Sequence, residues 1–110
     1  MGYSAHIITQ HRSYGSQVYF TWDDFERYFN HLEEEYNEDG QYTMHKDENT
    51  DYYEIDKEVI SKEIERLKKL PPEDGFEQYG DVTNEDAITY LQDMLDEAPQ
   101  SDGHVSLEWF

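Results

Sequence analysis

The stretch Phe20-Thr21-Trp22-Asp23-Asp24-Phe25-Glu26-Arg27-Tyr28-Phe29-Asn30-His31-Leu32 sets the start of a helix and the face it buries. Thr21 has the short hydroxyl side chain of an N-cap, and Asp24 stands at the third helical position, close to a capping box. Phe20 before the cap and Phe25 after it are spaced to close over each other as a hydrophobic staple. Phe25, Tyr28, Phe29, Leu32 and Tyr36 then recur at helical spacing as one apolar stripe. Asp23, Glu26, Asn30, Glu33 and Glu34 fall on the other side, and Asn37-Glu38-Asp39-Gly40 ends the helix.

Working outward, the N-terminal side reads as strand. Tyr3–Gln10 alternates, with Tyr3, Ala5, Ile7 and Thr9 on one face; His11–Ser16 is a turn, and Gln17–Phe20 is a short returning strand. On the C-terminal side, Gln41–His45 and Asp51–Ile55 flank Asp47-Glu48-Asn49-Thr50 as a hairpin. Asp56 is placed to cap a second helix with the stripe Val59, Ile60, Ile64 and Leu67, and Pro71-Pro72 stops it. A Gly-containing acidic loop, Glu73–Asp81, leads to a third helix. Thr83 caps it, Val82 and Ala87 form a weaker staple, and Ala87, Ile88, Leu91 and Leu95 form the stripe. Pro99 ends it, and Val105, Leu107 and Trp109 share one face of a closing strand. The order β(β)αββααβ predicts an α+β fold in which an antiparallel sheet of four to five strands packs against three helices. The terminal strands are candidates to pair with each other.

At 110 residues the chain has room for one domain, residues 1–110. Low hydrophobicity (35%) with a net charge of −19 is the usual signature of disorder, but 15% aromatic residues at helical and strand spacings imply a folded core built on rings. The absence of cysteine excludes disulfides and thiolate chemistry. Apolar runs are too short for a membrane span. Met1-Gly2-Tyr3-Ser4-Ala5-His6 lacks the basic and apolar regions of a signal peptide, so a cytoplasmic protein is expected.

Charge is the strongest signal. The 27 acidic residues face 8 basic ones, five of which (Lys57, Lys62, Arg66, Lys68, Lys69) crowd into one segment. Such a surface repels nucleic acid and anionic lipid and attracts basic proteins. A domain of this mass exposes roughly 6,400 Å², or about one net charge per 340 Å². Double-stranded DNA carries on the order of one per 100 Å² of its cylinder. Gathering the excess on half the surface closes most of that gap.

Three segments have the clustering required. Glu33, Glu34, Glu35, Glu38 and Asp39 form the densest, at a helix end where negative charge opposes the macrodipole. Asp47, Glu48 and Asp51 lie at the hairpin tip, and Glu73, Asp74 and Glu77 in the acidic loop. Tyr14, on the first turn, and Tyr79, in the acidic loop, are candidate aromatic contacts. Trp22 and Trp109 are assigned to the core.

In size, charge, lack of cysteine and interleaved aromatics, the chain resembles the small acidic inhibitors that bacteriophages make against host defences. These are DNA mimics that block restriction enzymes, and anti-CRISPR proteins. No motif is matched residue by residue, so the site residues come from the charge clusters alone. The resemblance implies occupation of a basic nucleic-acid channel in a nuclease or CRISPR effector, with carboxylates in place of phosphates and aromatic rings in place of bases. The protein would then act in the cytoplasm of the infected cell, as a monomer or a homodimer formed through an edge strand, without a cofactor.

Other readings remain open at this level. An immunity protein that neutralises a basic toxin has the same composition. Asp47, Asn49, Asp51 and Glu58 match four liganding positions of an EF-hand loop, but Tyr52 stands where that loop needs Gly, which argues for a metal-free turn. His6, His11, His31, His45 and His104 have no zinc spacing. No Gly-rich phosphate loop, nucleophile elbow or His-Glu metal motif supports catalysis.

Overall fold

A computed structural model describes residues 5–8, 14–18, 20–47, 52–80, 82–100 and 102–109, with backbone only at Ile8, 14–18 and Pro72. Five strands and three helices follow in the order β1 (Ala5–Ile8), β2 (Tyr14–Val18), α1 (Trp22–Tyr36), β3 (Met44–Asp47), β4 (Tyr52–Asp56), α2 (Lys57–Lys69), α3 (Asn84–Glu97) and β5 (His104–Trp109). Two 3₁₀ turns, Pro72–Asp74 and Phe76–Tyr79, join α2 to α3. The fold is therefore α+β, as the hydrophobic pattern predicts.

The strands form one antiparallel sheet in the order β2-β1-β5-β4-β3. The terminal strands do pair, with Ala5 opposite Trp109 and Ile7 opposite Leu107, so the C-terminal strand is central. β2 starts at Tyr14, earlier than the expected Gln17, and this moves Tyr14 from the turn into the strand. Phe20, read as the end of that strand, instead packs in the core against Phe25 at 5.1 Å. The predicted positions Tyr3, Thr9 and Gln10, and 11–13 of the turn, lie outside the described residues.

Alternation divides the sheet into two faces. Ala5, Ile7, Tyr53, Ile55, Val105, Leu107 and Trp109 point inward and are buried. They join one core with Phe25, Tyr28, Phe29 and Leu32 of α1, Val59, Ile60, Ile64 and Leu67 of α2, and Ala87, Leu91 and Met94 of α3. All three helices thus cover the same face. No described helix covers the other face, and there the register sets each histidine across from a carboxylate: His6 opposite Glu108, His45 opposite Glu54, His104 opposite Asp56.

The caps of α1 and α3 form as their residues dictate. The Thr21 hydroxyl accepts from the Asp24 amide and the Thr83 hydroxyl from the Asp86 amide. Asp56 departs from expectation. It stands at the start of α2, but its carboxylate accepts from the Thr43 amide at 3.0 Å and ties β4 to the entry of β3. Among the described residues, no helix is long and apolar enough to cross a membrane.

Candidate partner-binding surface

Six of the seven described Lys and Arg side chains have local partners. Arg27 stands 4.0 Å from Asp24, Lys62 3.5 Å from Glu58, Arg66 2.6 Å from Glu63 and Lys68 3.5 Å from Glu65, while Lys46 is paired with Glu26. Lys57 donates to the Pro99 carbonyl at 2.7 Å. Among the described residues, Glu33, Glu34, Glu35, Glu38, Asp39, Glu73, Asp74 and Glu77 are exposed and have no cation within ion-pair distance.

Glu34 and Glu35 of the first cluster come near Tyr79, which shares a 3₁₀ turn with Glu77 of the third. The segment read as an acidic loop is wound into the two 3₁₀ turns and pinned. Phe76 is fully buried, and its amide donates to Asn84 Oδ1 at 2.6 Å. Gly75 and Gly80 let it lie this close, because a Cβ at either position overlaps the side chain of Asn84 or of Asp24. The second of these turns, Phe76–Tyr79, runs along one edge of α1. Arg27 Nη1 donates to the Tyr79 carbonyl at 3.3 Å, and the Tyr79 ring lies 5.7 Å from both Tyr28 and His31. Glu34 and Glu35 follow His31 by one helical turn, on the same edge. Burial raises the Tyr79 phenol above its ordinary value; Arg66 opposes this, and the negative charges of Glu63, Glu34 and Glu35 add to it. Tyr79 is therefore a half-buried ring, braced on three sides by Tyr28, His31 and Phe76, beside unpaired carboxylates.

Asp47 of the hairpin cluster does not join this surface. Asp47 ends β3 opposite Tyr52, on the open face of the sheet and away from the helical layer. On that face the polar groups are paired among themselves. The Tyr52 hydroxyl lies 2.9 Å from both Glu54 Oε2 and Ser106 Oγ, and His104 Nε2 stands 3.5 Å from Glu54. Glu48 and Asp51 lie outside the described residues, as does the Tyr14 side chain. The EF-hand spacing also dissolves, since residues 52–56 form β4 and Glu58 sits in α2 beside Lys62. No group of three His, Asp or Glu suited to a metal ion occurs among the described residues.

Both tryptophans join the core, though unequally: Trp109 is buried, whereas Trp22 is half-buried under the Lys46 ammonium, 5.3 Å from its ring centroid.

Sequence reading missed a buried polar group behind the acidic edge. Glu63 is wholly buried on the apolar side of α2. Its Oε1 accepts from the Tyr28 hydroxyl at 2.6 Å and Arg66 Nη2 at 2.7 Å; its Oε2 accepts from the Tyr36 hydroxyl at 2.5 Å and Arg66 Nε at 2.6 Å. Burial alone pushes the Glu63 carboxyl up, but the guanidinium and the two phenols outweigh it and hold it below the ordinary 4.5. The same burial and the same carboxylate push the Tyr28 and Tyr36 phenols up. A signal was present: Glu63 falls between Ile60, Ile64 and Leu67 on the stripe, with Arg66 three residues on and two stripe tyrosines on α1 whose hydroxyls require partners. No family model, curated protein or solved structure matches this chain.

Proposed function

We propose that the protein binds, through the acidic edge formed by α1 and the 3₁₀ turns, the cationic nucleic-acid-binding surface of a partner protein in the cytoplasm, and thereby blocks it. The partner class is an enzyme that holds nucleic acid in a basic channel, such as a nuclease or a CRISPR effector. Glu33, Glu34, Glu35, Glu38 and Asp39, with Glu73, Asp74 and Glu77, stand in for a row of phosphates, and Tyr79 supplies an aromatic anchor. The role is binding, not catalysis.

The observation that carries this reading is the last turn of α1. Carboxylates crowd it, no basic residue occupies it, and none of its exposed acids is paired with a described cation. Charge placed there costs helix stability, so a use outside the fold accounts for it better than the fold does.

Competition tests the proposal. Bead-coupled protein should retain nucleic-acid-binding proteins from a bacterial lysate, and excess duplex DNA or RNA should displace them. The triple variant Glu34→Lys, Glu35→Lys, Glu38→Lys, still folded, should retain about tenfold less. Retained proteins that neither nucleic acid displaces, or equal retention by the triple variant, would refute it.

A further inference from the structure

An aspartate followed by glycine is prone to rearrange without an enzyme, because glycine puts no Cβ in the way of the attacking amide. Three such pairs occur in the chain: Asp39-Gly40, Asp74-Gly75 and Asp102-Gly103. The reaction requires the peptide between the two residues to turn until the glycine nitrogen faces the aspartate Cγ. A peptide held by hydrogen bonds or packing must first open locally.

The fold holds two of the three. The Asp74 carbonyl accepts from Gln78 Nε2 at 3.0 Å, and Gly75 lies buried against Asn84, where even a Cβ has no room. Gly40 has φ +69° and donates its amide to the Asn37 carbonyl at 3.0 Å. Asp102-Gly103, between α3 and β5, is different. Both residues are exposed, and a Cβ on Gly103 meets open space. Among the described residues, no hydrogen bond holds the Asp102 carbonyl or the Gly103 amide.

We propose that Asp102 is a site of spontaneous isomerisation to isoaspartate, with water as the only co-reactant. The Gly103 nitrogen bonds to Cγ of the protonated Asp102 carboxyl, and the carboxyl hydroxyl leaves as water with the amide proton. Water then adds to the cyclic imide at the former main-chain carbonyl and breaks its bond to the Gly103 nitrogen. The chain now runs through Cβ and Cγ, one methylene longer, and the old main-chain carbonyl is the free carboxylate. The consequence falls on the centre of the sheet. The Gly103 carbonyl accepts from the Lys57 amide at 3.0 Å, where β4 passes into α2, and β5 begins at the next residue and pairs with both β1 and β4. A longer chain just before this anchor misaligns it and lowers stability. The modification is independent of the function proposed above.

Ageing the full chain for weeks at about 37 °C and neutral pH tests this, with isoaspartate located by peptide mapping and by an isoaspartyl-specific methyltransferase. Isoaspartate should form at position 102 about tenfold faster than at 74 or 39. In about 8 M urea, where the fold holds none of these peptides, the three rates should converge to within about threefold. Gly103 is not left-handed and has space for a methyl group, so Gly103→Ala should fold normally. It should slow the reaction at 102 about tenfold. Aged wild type should melt lower than fresh protein, and aged Gly103→Ala should not. Isoaspartate at 74 or 39 as fast as at 102 in the folded chain overturns the proposal. So does an order of rates that persists in urea, an aged chain with none at 102, or a melting point that isoaspartate at 102 leaves unchanged.

Discussion

Glu63 shows how one charged residue is accommodated in a core that is thin in aliphatic side chains. Its two oxygens receive four hydrogen bonds, two from a guanidinium and two from phenols, which fills the acceptor capacity of a carboxylate. Such a group ties α1 to α2 at a defined register, because sliding either helix strands a buried charge. Its carboxyl titrates below the ordinary 4.5, so the stability it contributes is present above that value and is lost as pH falls through the depressed one. Glu63→Gln should therefore lower the urea midpoint at pH 7 by the equivalent of about 3–5 kcal/mol, since Arg66 is left unpaired. It should also flatten the acid limb of a stability–pH curve below about pH 4.5. A variant whose acid limb matches the wild type would show that other carboxylates set acid unfolding.

Helix ends separate what folding requires from what it does not. α2 obeys the macrodipole, with Arg66, Lys68 and Lys69 in its last turn, whereas α1 and α3 have no cation there. At the end of α3, burial and then the charges of Glu97 and Asp96 raise the Asp93 carboxyl, a sign of uncompensated repulsion. Reversing Glu34, Glu35 and Glu38 to lysine should raise the thermal midpoint, each change contributing up to about 1 kcal/mol, while partner binding falls. A thermal midpoint that falls instead would mean that these acids serve the fold. This contrast explains what was legible in the residues. Thr21, Thr83 and the Phe20–Phe25 staple act over one helical turn, so their local spacing identified both helix starts. The joining of Tyr79 to Glu34 and Glu35 depends on two glycine approaches, Gly75 to Asn84 and Gly80 to Asp24. Those contacts lie between segments far apart in the chain, and no local pattern encodes them. Asp56 failed as a cap for a related reason: a competing amide, Thr43, reaches it from another strand. Beyond the anticipated pairing of the terminal strands, the strand order was equally hidden, because β4 meets the other side of β5 only when segments far apart in the chain come together.

Across the whole molecule, 6395 Å² of surface carries a net charge of −19, and the helical layer and the sheet handle it differently. On the open sheet face, carboxylates sit opposite imidazoles and beside hydroxyls, so they have polar neighbours there. On the helical layer, the exposed ion pairs Lys62–Glu58 and Lys68–Glu65 leave the α1 edge uncompensated. Exposed pairs of that kind contribute little to stability. Repulsion summed over the remaining carboxylates outweighs them at low ionic strength, where the Debye length of about 30 Å spans most of a molecule 38 Å across. Raising NaCl from about 0.01 M to 0.5 M shortens that length to a few ångströms. The thermal midpoint should then rise by about 4–8 °C, equivalent to roughly 1 kcal/mol. The triple lysine variant should show a smaller rise, because part of the repulsion is already gone. The Glu63–Arg66 pair, with its carboxylate wholly buried and its guanidinium part-buried, should contribute little to the difference. A midpoint that falls with salt would show that paired charges govern this surface, and it would remove the reason for regarding the α1 edge as charge held in reserve for a partner.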